Sequence, residues 1–116
     1  MKLKINGHDI ELVYSFRSAI YFEQIAGKNI DFSNFNSNDV ITLYYCVALA
    51  SLQKAKEPVI TMLDFLDTID DNGGEKCLVD FSNWYVDIMK AQYEALESTM
   101  NETEKNEKPK GKKKTA

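Results

Sequence analysis

The longest apolar stretch, Asp39 to Gln53 (DVITLYYCVALASLQ), places Val40, Leu43, Tyr44, Val47 and Ser51 on one side of a helix and Ile41, Tyr45, Leu49 and Leu52 on the other. A helix apolar on both sides needs cover on both, so this segment is expected to form the centre of the fold. Its length, with Ala48, Ala50 and Ser51 leaving room for close neighbours, favours helix over strand. Nothing in it has reactive character.

The other segments read as its cover. Lys2–Ile5 and Asp9–Tyr14 alternate polar and apolar residues around Asn6-Gly7, a dipeptide suited to the positive φ angles of a tight hairpin turn. Leu3 and Ile5 then share a face with Ile10 and Leu12, unless a bulge near His8-Asp9 shifts the register, and a lone hairpin must lay its apolar face on helices or on another chain. Ser15 reads as the N-cap of a helix over FRSAIYFEQIA that ends at Gly27, with Phe16, Ala19, Ile20, Phe22, Ile25 and Ala26 as its apolar face. The Asn/Ser-rich connection 29–38 is expected to tuck Ile30, Phe32 and Phe35 into the core, with Ser37 or Asn38 capping the central helix. Pro58 breaks that helix, and Thr61-x-x-Asp64 opens a short one whose inner face is Met62, Phe65, Leu66 and Ile69. Asn72-Gly73-Gly74 stops it. A long helix follows from about Glu75 to about Asn101, roughly 40 Å at 1.5 Å rise per residue, with Leu78, Phe81, Tyr85, Ile88, Met89, Gln92 and Leu96 in one line.

The expected architecture is therefore α+β, mainly α: an N-terminal β-hairpin packed on a bundle of about four helices with a long C-terminal helix. Residues 1–102 form a single hairpin-plus-helical domain, and 103–116, lacking any large apolar residue, form a disordered Lys-rich tail. The far end of the last helix exceeds what so small a body needs. Trp84, Tyr93, Leu96 and Met100 there, with Leu3 and Ile5 of the hairpin, are the candidate partner-binding residues.

Charge and cysteine content narrow the function classes. The formal net charge is −4, but residues 1–100 hold 8 Lys/Arg against 15 Asp/Glu, while 101–116 hold 6 Lys against 3 Glu. An acidic body repels phosphate backbones, which argues against specific nucleic-acid binding. The start of the chain alternates instead of running apolar, and no segment reads as a membrane span. A cytoplasmic, soluble chain is expected, with Cys46 and Cys77 as buried thiols of a reducing compartment. No catalytic, metal or cofactor constellation emerges. His8 stands alone beside a turn, Asp64, Asp67 and Asp71 repeat along the outer face of a short helix, and the glycine pairs lack the surroundings of a phosphate loop.

The MKLKING hairpin, the segment YSFRSAIYFEQIAGKNI and the buried helix rich in Tyr, Ala and Leu together resemble the tail assembly chaperones of long-tailed bacteriophages and prophages. The likeness is best over Met1–Ile30: an Asn-Gly hairpin, an aromatic residue (Phe16) opening the first helix, a Phe22-Glu23 pair and a Gly27-Lys28 step. To about residue 100 it rests on helix order. The resemblance implies a non-enzymatic factor, absent from the finished virion and without a cofactor, that binds the tape measure protein before the tail tube polymerises. It also implies a longer, frameshifted form recruiting the tail tube protein, for which Lys110-Gly111-Lys112-Lys113-Lys114 is suggestive, since such codons can contain a slippery purine run. Contacts between sister subunits in a homo-oligomer fit the same surfaces. The alternative from another class is a small regulatory or inhibitor protein of a mobile element that acts through its acidic surface.

Overall fold

The structure, a computed structural model, describes the backbone of residues 1–111 and the side chains of residues 1–31 and 33–98. The fold is α+β and mainly α, with an N-terminal antiparallel hairpin followed, among the described residues, by four α-helices. Two compact units are distinguished, Met1–Trp84 and a second beginning at Tyr85.

Strands β1 (Lys2–Ile5) and β2 (His8–Glu11) pair without a bulge, Leu3 opposite Ile10 and Ile5 opposite His8. Asn6 and Gly7 take φ of 52° and 81°, as a two-residue turn matched to strand twist requires. Leu3, Ile5, Ile10 and Leu12 are all buried. Side chains finish the outer edges of the hairpin. Lys4 offers its amide and carbonyl away from β2, and the Asn72 side chain meets both: Oδ1 accepts from the amide at 3.3 Å and Nδ2 donates to the carbonyl at 3.0 Å. Beyond β2, Ser51 Oγ accepts from the Val13 amide at 2.9 Å. The Asn72 contacts satisfy strand groups of β1 that would otherwise be open to a further strand.

Helix α1 (Phe16–Ala26) starts in a capping box between Ser15 and Ser18 and ends at Gly27, φ 74°, whose N–H donates to the Glu23 carbonyl. Its buried face is Ser18 and Phe22, with Phe22 tilted on Phe35 at 5.9 Å between ring centroids. Two members of the expected face differ: Phe16 is 82% exposed and Ile25 is also exposed. Ser18 and Phe22 lie one turn apart, whereas Phe16 is about 120° around the helix from Phe22, so burying the pair turns Phe16 outward. Of the connection, Ile30 and Phe35 are half-buried, and the Phe32 side chain lies outside the described residues.

Helix α2 (Ser37–Lys54) is the expected centre, burying Leu43, Tyr44, Cys46, Val47, Ala48, Ala50, Ser51 and Leu52. Its cap is Asn36, not Ser37 or Asn38: Asn36 Oδ1 accepts from the Asp39 amide at 2.9 Å, and Asp39 Oδ2 accepts from the Asn36 amide at 3.1 Å. The same carboxylate holds Lys28 Nζ at 2.8 Å, tying the end of α1 to the start of α2. The Lys28 hydrogen bond first, then that from the Asn36 backbone, keeps the Asp39 carboxyl below its ordinary value of 3.8. This contribution is complete above that value and is lost as pH falls through the lower folded one. Asp39→Asn should therefore flatten the acid limb of a plot of Tm against pH, below about pH 4.

The C-termini of α2 and of α3 (Met62–Asp71) close in the same way. In α2 the Lys56 amide donates to the Gln53 carbonyl and the Glu57 amide to Leu52; in α3 Gly73 donates to Asp70 and Gly74 to Ile69. The left-handed residue is Gly73 in one and Lys56, φ 60°, in the other. Lys56→Gly should relieve that strain and raise stability by about 0.5–1 kcal/mol, read as a higher urea midpoint at unchanged m.

Helix α4 (Glu75–Gly111) runs past the expected end near Asn101. Within the first unit it contributes Phe81, which stacks on Tyr44 at 4.1 Å and 7° between planes, while Phe65 of α3 meets Tyr44 edge-on at 5.1 Å. Residues 112–116 of the Lys-rich tail lie outside the described residues, as do the side chains of 103–111.

Candidate functional site

The structure separates the six candidate contact residues. Leu3 and Ile5, each 2% exposed, belong to the hairpin's inner face, so the need of that face for cover is met within the chain. Trp84 is half-buried, its ring 5.7 Å from that of Phe81. Tyr93 and Leu96, 65% and 59% exposed, are open to a partner. The Met100 side chain lies outside the described residues.

A second exposed apolar surface was not anticipated from the sequence. On α3, Phe65, Thr68 and Ile69 turn inward, and the Thr68 hydroxyl donates to the Asp64 carbonyl at 3.0 Å. Leu63 is 75% exposed, and Leu66, expected on the inner face, is also exposed. With Phe65 and Ile69 fixing the inward direction, Leu66 falls about 100° from Phe65 and at the margin of the buried arc. Exposed aspartates at 64, 67, 70 and 71 surround these leucines, giving α3 an acidic outer surface with apolar projections. The signal was available: Leu63 sits two residues before Phe65, a spacing that puts side chains on nearly opposite sides of a helix.

Between α3 and the hairpin tip lies an open polar groove of about 360 Å³, lined by Lys4, Asn6, Asp64, Asp67, Asp71 and Asn72 among others. Among the described residues no group of three His, Cys, Asp or Glu is placed to hold a metal ion. Comparisons with protein-family models, curated proteins and solved structures give no match.

Burial favours the neutral forms of Tyr44 and Cys46. The Tyr44 hydroxyl lies 3.0 Å from Cys77 Sγ, and burial first, then that contact, drives its pKa well above the ordinary tyrosine value. Burial pushes the Cys46 thiol up to about 12. A thiol that keeps its proton is a poor nucleophile and metal ligand. Both cysteines are free and buried, and His8, at the start of β2, is exposed. No helix among the described residues is long and apolar enough to cross a membrane. What the exposed surfaces offer chemically is apolar area set in negative charge, which suits recognition of a protein bearing apolar and basic side chains.

Proposed function

We propose that this chain is a tail assembly chaperone of a long-tailed bacteriophage or prophage: a non-enzymatic protein of the bacterial host cytoplasm that holds the tape measure protein until the tail tube encloses it. The observation that carries the reading is the outer face of α3, where Leu63 and Leu66 project from among four aspartates on a helix locked to the core by Phe65 and Ile69. An extended helical partner exposes an apolar seam before assembly, and a rigid acidic helix with leucine projections can cover it reversibly. Phe16 supports the same reading. It is the aromatic residue that the resemblance places at the head of the first helix, and its 82% exposure makes it a surface feature rather than a core anchor. A frameshifted longer form would bring the tail tube protein to the complex.

Co-expression with the tape measure protein of the same phage or prophage genome, followed by a pull-down, tests the proposal. Co-purification that weakens at high salt is expected, because the aspartates contribute screened attraction. Leu63→Asp with Leu66→Asp should reduce retention at least tenfold, the scale for losing an interface anchor. Absence of co-purification at low and moderate salt overturns the reading.

A further inference from the structure

The second unit carries an apolar line that α3 does not share. Val86, Met89, Tyr93 and Leu96 alternate steps of three, four and three, and Met100 continues the sequence repeat with a step of four. This is the seven-residue period of a coiled-coil seam, with Val86 and Tyr93 at a positions and Met89 and Leu96 at d. Val86, Tyr93 and Leu96 are each half or more exposed, Met89 is half-buried, and every residue from Ala91 to Ser98 is exposed. Exposed apolar side chains repeated at this spacing form a contiguous strip of the kind that marks contact with another helix.

We propose that α4 pairs with α4 of a second copy of this chain, antiparallel, through this seam. The charges beside it select the occupant and the direction. Lys90 and Glu97 both fall at e positions, seven residues apart, and neither makes an ion pair among the described residues. In an antiparallel pair e faces e, so centring the two-fold axis between Glu94 and Ala95 sets Lys90 against the partner's Glu97, and the symmetry makes the contact twice. The same register seats Tyr93 against the partner's Leu96, large on medium in the central layers. In a parallel pair each e position faces g, which here brings Lys90 to Tyr85 and Glu97 to Gln92, with no opposite charges and with tyrosine on tyrosine at position 93. The sequence is self-complementary in one direction only. This pairing does not depend on the tail-assembly reading.

Sedimentation equilibrium of the full chain, from micromolar to millimolar, tests the pairing. A reversible monomer–dimer equilibrium is expected, abolished by Leu96→Glu, which sets a carboxylate in the seam. Lys90→Glu and Glu97→Lys should each weaken association roughly tenfold by turning two attractive contacts repulsive, and the two together should restore it. Far-UV circular dichroism confirms that each variant keeps its helices. A wild type that stays monomeric at millimolar concentration overturns the proposal. So does a dimer indifferent to Leu96→Glu, or a double charge reversal that remains as weak as either single one.

Discussion

Tyr44→Ala is expected to cost about 3–5 kcal/mol of folding stability, the range for removing a large buried ring that the surroundings cannot collapse to replace. Tyr44 is fully buried, stacked on Phe81 and met edge-on by Phe65, so three helices lose their common contact together. Domains of this size have about 5–15 kcal/mol in total, so a large share of the molecules should be unfolded at moderate temperature. Urea unfolding followed by Trp84 fluorescence measures it, because Trp84 packs on Phe81 and reports the same cluster. Tyr44→Phe separates packing from polarity: it keeps both ring contacts and gives up only the approach to Cys77, and should cost about 1 kcal/mol. A Tyr44→Ala protein with an unchanged midpoint would remove α2 from the centre of the fold.

Phe22→Ala is expected to cost a comparable 3–5 kcal/mol but to loosen a different part of the molecule. Phe22 is fully buried on α1 and touches Phe35 of the following connection, so its loss detaches the first helix and that connection. The Tyr44–Phe81 cluster is left whole. Native-state hydrogen exchange should show amides of α1 opening at much lower free energy than those of α2, while Trp84 fluorescence in the native state stays as it was. Loss of protection spread evenly over both helices would mean that the two contacts form one cooperative unit.

The elements were legible because each is bounded by local chemistry. Asn6-Gly7, Ser15, Gly27, Thr61 and Gly73-Gly74 act where they stand, and the doubly apolar Asp39–Gln53 segment left its helix little choice of position. What the sequence concealed was the direction each helix turns. Phe16 and Leu66 look like core by composition, yet the inward bearing is set by which ring reaches α2 first, a tertiary event that periodicity over three turns does not resolve. Asn36 displaced Ser37 and Asn38 as cap because Asp39, three residues on, can answer its hydrogen bond, and Lys28, just past the end of α1, then pairs with that carboxylate. The α3 surface was hidden for a related reason: its aspartates read as ordinary solvated charge, and only their company with Leu63 gives them something to recognise.

The Asn72 amide that completes β1 joins residues 68 positions apart. During synthesis the first strand emerges early, and the group that seals its border emerges only after α3 has been made. Nascent or truncated chains ending before residue 72 therefore carry an open template for strand addition, and holding them soluble falls to whatever meets them at the ribosome.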